Sequence, residues 1–149
     1  MRTQTEHQSL GSFLKLDDQG KPCLEGFQCG ACNEVLLQNR RGCPRCGALG
    51  SLRARRLAEH GRLFSYTIVH RSFPGIATPF ISAIVELDGG VFLKGNLVGV
   101  EATPAAVPFD MPVRVQFHYP EVPGHTGKTL LSYVFVPAQP AECPEPKRG

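Results

Sequence analysis

The residues best suited to chemistry lie between Cys29 and Cys46. They read Cys-Gly-Ala-Cys (29–32), ten intervening residues, then Cys-Pro-Arg-Cys-Gly (43–47). A tight turn inside each CxxC pair points both of its sulfurs at one spot. The stretch Asn33 to Gly42 is long enough for a small hairpin that brings the two pairs together. Four thiolates from Cys29, Cys32, Cys43 and Cys46 then converge as a tetrahedron, which suits Zn²⁺. Iron takes the same donor set and is the natural substitute. Gly47 can adopt the positive φ that the end of such a knuckle often needs, and Gly30 and Pro44 serve tight backbone geometry. Two disulfides would be the alternative. They need an oxidising compartment, and the first residues of the chain show no apolar signal-peptide core. The expectation is therefore a reduced, cytoplasmic protein carrying a metal.

Few other residues are candidates for catalysis. A thiol nucleophile needs a base held against it. Cys143 stands between Glu142 and Pro144 in a Pro- and charge-rich tail, and Cys23 follows Pro22 and reads as an ordinary buried thiol. His7, His60, His70, His118 and His125 show no ligand spacing. His70 is the one of interest, because it ends a strand beside Arg71 and the loop at Phe73. A strand-end histidine with a structural hydrogen bond is the plainer account of it. The loop Phe73 to Phe80 joins two strands, is stiffened by two prolines, and displays Phe73, Pro74 and Ile76. A stiff apolar loop loses little entropy when it binds. Phe80 itself is expected to open the next strand.

The net charge is +3 but unevenly placed: Arg40, Arg41, Arg45, Arg53, Arg55, Arg56 and Arg62 face only Glu59 between residues 40 and 62. A Zn(Cys)₄ centre carries a charge of about −2, so some of this arginine balances the metal. Guanidinium groups also match phosphate oxygens, so Arg53, Arg55 and Arg56 are candidates for holding an anionic ligand.

The elements that position these residues are strands. Thirteen prolines, sixteen glycines and no long helical period favour strands and turns, and no stretch approaches the about 20 apolar residues of a membrane span. Leu24 to Gln28 leads into the first knuckle, and Val35 to Leu37 supplies the second strand of its hairpin. Leu49 to Glu59 reads as a connector. Beyond Gly61, five strands are expected: Leu63 to Ser72, Phe80 to Leu87, Val91 to Val98, Pro112 to Tyr119 and Leu130 to Val136. Asp88-Gly89-Gly90 marks a hairpin turn. In the fourth strand Val113, Val115, Phe117 and Tyr119 alternate with Arg114, Gln116 and His118. Gly95-Asn96 suggests a bulge or a close backbone approach. Five short strands suit a small closed barrel of the OB type. The expected organisation is an N-terminal docking segment (1–22), a zinc ribbon (23–52), an OB-fold (53–137) and a flexible tail (138–149).

Taken together, these motifs resemble the rubredoxin-like zinc-ribbon plus OB-fold proteins that accompany thiolases and other acyl-CoA enzymes. The resemblance runs from about Leu24 to Val136. It rests on the CxxC–CPxCG ribbon, Gly61 to Arg71 (GRLFSYTIVHR), Phe73 to Phe80 (FPGIATPF), Ile84 to Val100 (IVELDGGVFLKGNLVGV) and Asp110 to Phe117 (DMPVRVQF). It implies a mainly β fold and a non-catalytic subunit bound to a thiolase-fold partner, helping to form the site for a CoA thioester. The small subunit of a catabolic thiolase such as benzoylsuccinyl-CoA thiolase is among the proteins it is similar to. On that basis Phe73, Pro74, Ile76, His70, Arg71, Arg53, Arg55 and Arg56 are the expected substrate or partner contacts.

Two other function classes compete. Ribbons and OB-folds both bind single-stranded nucleic acid, but the basic residues sit in the connector rather than on the barrel strands. A rubredoxin-type electron carrier would leave the barrel without a purpose.

Overall fold

The computed structural model describes residues 8–9, 11–120 and 129–138. Ten strands and no helix occur among them, and no helix is long and apolar enough to cross a membrane. His7, His125 and Cys143 lie outside the described residues, as do most of the expected tail and the first residues of the expected docking segment. The chain divides into two compact units, Met1–Arg56 with Phe117–Tyr133, and Leu57–Gln116 with Val134–Gly149.

The first unit contains β1 (Gln8–Ser9), β2 (Leu14–Leu16), β3 (Pro22–Cys29), β4 (Val35–Leu36) and β5 (Leu52–Arg56). β2 and β3 form a hairpin in which Leu14 faces Leu24 and Leu16 faces Pro22. Its turn is held by Asp17, whose Oδ1 accepts the N–H groups of Gln19 and Lys21, both at 2.9 Å. This is the local bond by which Asp favours turns. β3 continues into the ribbon, pairing with β4 from Phe27 to Gln28 and with β5 from Glu25 to Cys29. The stretch Leu49 to Glu59, expected as a connector, therefore supplies a full ribbon strand over Leu52–Arg56. The reason is visible in the register: five consecutive residues of β5 satisfy the otherwise open edge of β3. Away from the cysteines, Leu14, Leu24 and Leu131 are buried, and the Phe13 ring meets Tyr133 edge-on at 5.7 Å.

The second unit is a barrel built on β6 (His60–Val69), β7 (Phe80–Leu87), β8 (Phe92–Leu97), β9 (Pro112–His118) and β10 (Leu130–Pro137), the last two entering it through residues 112–116 and 134–137. β6, β7 and β8 form an antiparallel meander. β9 runs antiparallel to β6, and β10 joins β8 in parallel where Phe135 meets Leu97. Pairing of β9 with β10 closes the circle, and the Ala138 N–H donates to the Pro112 carbonyl at 3.0 Å. This is the expected five-stranded OB barrel. Period-two alternation fills it: Ile81, Ala83, Val85 and Leu87 from β7 and Leu93 and Leu97 from β8 are buried. Val113 and Val115 follow the same rule in β9, but the pattern fades at its end, where Phe117 is half-buried and Tyr119 exposed. Across the turn at Gly89-Gly90 the Leu87 N–H donates to Val91 O at 2.8 Å, as the sequence implies.

Of the two readings of Gly95-Asn96, the bulge is absent. Gly95 faces Ala83 and Asn96 faces Ser82 in unbroken register. The sheet instead slips between Leu63 and Ser65, which sets Phe64 outside the ladder. Gly61 carries the tightest constraint, pairing with Leu87 on one edge of β6 and Val113 on the other, near the start of the strand. A Cβ there would collide with the Glu86 carbonyl oxygen and sit 2.8 Å from the Leu87 Cα. Both obstacles are backbone, so neither can swing away. Gly61→Ala is expected to destabilise the barrel by about 2 kcal/mol or more, read as a lower midpoint in thermal unfolding. An unchanged midpoint would show that the strands can part there at no cost.

Candidate functional site

The two knuckles are built alike. In the first, the Cys29 N–H donates to Glu34 O at 2.8 Å and the Asn33 N–H to Cys29 O at 2.9 Å. In the second, the Cys43 N–H donates to Ala48 O at 2.9 Å and the Gly47 N–H to Cys43 O at 2.8 Å. The residue four after each leading cysteine takes positive φ, Gly47 at 77° and Asn33 at 63°. Asn is the side-chain-bearing residue most tolerant of that region, which makes Asn33 the counterpart of Gly47, a role the sequence shows only once the knuckles are superposed.

These turns place the sulfurs of Cys29, Cys32, Cys43 and Cys46 all within 4.8 Å of one another. The Cys29–Cys46 and Cys32–Cys43 Sγ separations are 3.7 and 3.6 Å. Both are close to about 3.8 Å, the edge of a tetrahedron with metal–sulfur bonds of about 2.3 Å. The donor set thus fits one tetrahedral metal ion. As thiols the four do not ionise together. The Ser51 hydroxyl, followed by the Cys32 N–H, brings the Cys29 thiol down to about 6 against the opposing pull of burial. Cys32 is pushed up to about 12: the Glu34 N–H draws it down, but burial and the neighbouring sulfurs outweigh that. A divalent cation removes the conflict, because it stabilises every thiolate at once.

Ser51 was not marked by the sequence. Its Oγ lies 3.2 Å from the Cys29 Sγ, which also accepts the Ala31 N–H at 3.4 Å. No spacing rule finds such a serine, because it reaches the sulfur across the ribbon, five residues beyond the last cysteine.

The remaining expected contacts fall into two groups. His70, Arg71, Phe73, Pro74 and Ile76 share one connection between β6 and β7, exposed from His70 to Pro79. Phe73 is 81% exposed, the most of any large apolar side chain described, and Ile76 is 51% exposed. The Ile76 N–H donates to Phe73 O at 3.2 Å, with Pro74 second and Gly75, at φ 90°, third. That is the arrangement of a type II turn. It holds the two apolar side chains at neighbouring corners instead of leaving them on a loose strand of chain. Phe80 is half-buried and opens β7 opposite Val69. Arg53, Arg55 and Arg56 lie in the other unit, all exposed on β5. The Arg53 guanidinium donates to the carbonyls of Gly50 and Leu52 at 2.9 and 3.1 Å, and Arg56 stands 3.9 Å from Asp17. Arg62 is paired with Asp110 at 3.6 Å. Two aromatic pairs add to the apolar surface of the barrel unit, with Phe64, Phe92 and Phe109 exposed and Tyr66 half-buried. Phe64 meets Phe92 edge-on at 5.0 Å, and Tyr66 lies 5.2 Å from Phe109. Phe64 follows buried Leu63 and faces outward, and the slip at Leu63/Ser65 shifts the residues after it.

Residues 54–118 match the family model for the ChsH2 C-terminal OB-fold domain. This part of the chain belongs to that OB-fold family. A DUF35 domain-containing scaffold protein of Methanocaldococcus jannaschii is 29% identical over 120 residues, 78% of this chain and 83% of that protein. A probable enoyl-CoA hydratase alpha subunit of Thermomonospora curvata is 30% identical over 118 residues. The 3-oxo-4,17-pregnadiene-20-carboxyl-CoA hydratase alpha subunit of Mycobacterium tuberculosis is 43% identical over 58 residues. The chain spans only 34% and 18% of the length of these two subunits. Among solved structures, the Ltp2-ChsH2(DUF35) aldolase superposes with a TM-score of 0.59 at 28% identity, over 77% of this chain and 84% of that one.

Metal analysis of the purified chain is expected to find one equivalent of zinc or iron. Cys29→Ser should abolish it and unfold the ribbon, since a site with so little apolar core depends on its metal. Acidification should release the ion as protons compete with it for the sulfurs, below the pH of about 6 at which the metal-free Cys29 thiol ionises because the cation stabilises the thiolate, and a chelator titration across pH measures this. Absence of stoichiometric metal at neutral pH would refute the assignment.

Proposed function

We propose that this chain is a non-catalytic partner subunit of an acyl-CoA enzyme whose catalytic chain has a thiolase fold, and that it helps to form the acyl-CoA site. The observation that carries the reading is the combination of a ChsH2-type OB domain with the exposed, turn-stiffened loop His70–Pro79. Relatives named as a scaffold protein and as an aldolase formed with Ltp2 support a subunit role. Zinc is the metal we assign to the cluster, in a structural capacity, since its four positions are all taken by sulfur and none is left for a substrate.

Chemistry within the chain offers little alternative. Four of the five described cysteines form the cluster, and the fifth, Cys23, is buried in β3 against the β2 hairpin. CoA presents a flexible pantetheine arm and a highly charged nucleotide end. An apolar loop suits the first, with Phe73 and Ile76 at its corners and His70 and Arg71 at its base. Arg53, Arg55 and Arg56 belong to the other unit and are taken separately as candidates for an anionic group, because the guanidinium fork matches phosphate oxygens. The nucleic-acid account is weaker. The Phe64–Phe92 pair lies along a row holding Glu86 as well as Arg62, and Arg62 is engaged by Asp110.

The isolated, metal-loaded chain should show no thiolase, aldolase or acyltransferase turnover, and turnover by it alone would overturn the reading. Purification from its natural source should yield a complex with an acyl-CoA enzyme. In that complex Phe73→Ala is expected to lower kcat/KM by at least about tenfold, since losing an aromatic anchor costs about 2 kcal/mol. Size-exclusion chromatography run alongside separates loss of assembly from loss of substrate contact. If neither assembly nor kcat/KM changes, the loop has no part in the site.

A further inference from the structure

The four sulfurs of the cluster are not equally placed. Cys29 is fully buried, whereas Cys46 is exposed. In a tetrathiolate centre each sulfur carries negative charge and accepts hydrogen bonds, and an exposed one can take them from water. Cys29 is cut off from water, so its donors must come from the protein. Three reach it, the Ala31 and Cys32 N–H groups and the Ser51 hydroxyl. The first two are backbone and present whatever the side chains. The third is the one side chain that donates to it.

Ser51 is also the point at which the two knuckles meet. Its carbonyl accepts the Gly30 N–H of the first knuckle at 2.8 Å. Its hydroxyl lies 3.4 Å from Ala48 O, the carbonyl that accepts the Cys43 N–H of the second knuckle. A hydroxyl has one proton to donate and two possible acceptors here. Against a thiol, which can itself donate, the Ser51 proton is free to go to Ala48 O and accept from Cys29. Against a metal-bound thiolate, which only accepts, it must turn to the sulfur.

Resting on the reading of the cluster as a metal centre, we propose that Ser51 is a positioning residue for that metal: its hydroxyl donates to the Cys29 thiolate, tuning the metal–sulfur bond and tightening metal retention. Partners in the outer shell of a metal site commonly alter affinity by about 10–100-fold. The donated bond draws charge from the sulfur, so its loss raises the energy of the sulfur lone pair. The sulfur-to-metal charge-transfer absorption of a coloured substitute ion then moves to longer wavelength.

The test uses the full chain loaded with Zn²⁺ and, separately, with Co²⁺. In Ser51→Ala the zinc affinity, measured by competition with a chelator, is expected to fall by about 10-fold or more. The Co²⁺–thiolate charge-transfer band should shift to longer wavelength. Ser51→Thr, which keeps the hydroxyl, should restore both band position and affinity. A weakened affinity with an unmoved band would show that Ser51 only fills space and would overturn the proposal, as would a Thr variant that behaves like Ala. Unchanged affinity and band in Ser51→Ala would do the same. Failure of the unmodified chain to bind either ion would overturn the metal reading and this proposal together, whereas binding by the unmodified chain with no effect of Ser51→Ala defeats the proposal alone.

Discussion

Four sulfurs held within 4.8 Å of one another impose the condition on which the ribbon depends. Thiolates this close repel, and burial of Cys29 and Cys43 denies them water. Left as thiols they offer little cohesion, because sulfur hydrogen bonds are weak. The knuckle turns nevertheless spend tightly specified backbone on bringing them together, with two residues at positive φ and two matched pairs of hydrogen bonds. That outlay makes sense only when a cation binds the sulfurs. The ribbon then folds around a point charge in place of a hydrophobic core.

The barrel is governed by a different constraint. Its interior is apolar, with Leu63, Ile81, Val85, Leu87, Val113 and Phe135 nearly sealed from solvent. The sheet closes because β6 pairs with β7 along most of its length and takes β9 on its other edge at its start. Gly61 lies between the two neighbours, with no room for a side chain beside the β7 backbone. Closure satisfies the strand edges and leaves loops and irregularities as the places where apolar groups can be displayed. The Phe73–Ile76 turn and the slipped Phe64 are both products of that arrangement. A surface of this kind suits the presentation of a rigid apolar feature to another molecule.

Charge and apolar surface are divided in the same spirit. The arginines of β5 stand on an edge strand, where charged side chains also guard against unwanted strand pairing. Their ion pairs are exposed and contribute little stability. The loop between β6 and β7, by contrast, carries no charged residue between Phe73 and Phe80.

Much of this was legible in the chain itself. CxxC spacing is a local rule, so Cys29, Cys32, Cys43 and Cys46 could be named without coordinates. The barrel strands could be placed to within a few residues because alternation is written along each one. The exposed loop followed from two prolines between two strands. What the sequence withheld were relations across strands. β5 looked like a connector because Leu-Arg-Ala-Arg-Arg has no apolar period; it is a strand because the edge of β3 requires a partner, and that edge belongs to residues 23 to 31 positions away. Gly95-Asn96 looked irregular, yet the slip fell at Phe64, since the bend is set by how β6 meets β7 and not by which residue is smallest. Ser51 is the clearest case. Nothing in its neighbourhood marks it as a partner of the cluster, and only the folding of two knuckles onto one ribbon brings its hydroxyl to the Cys29 sulfur.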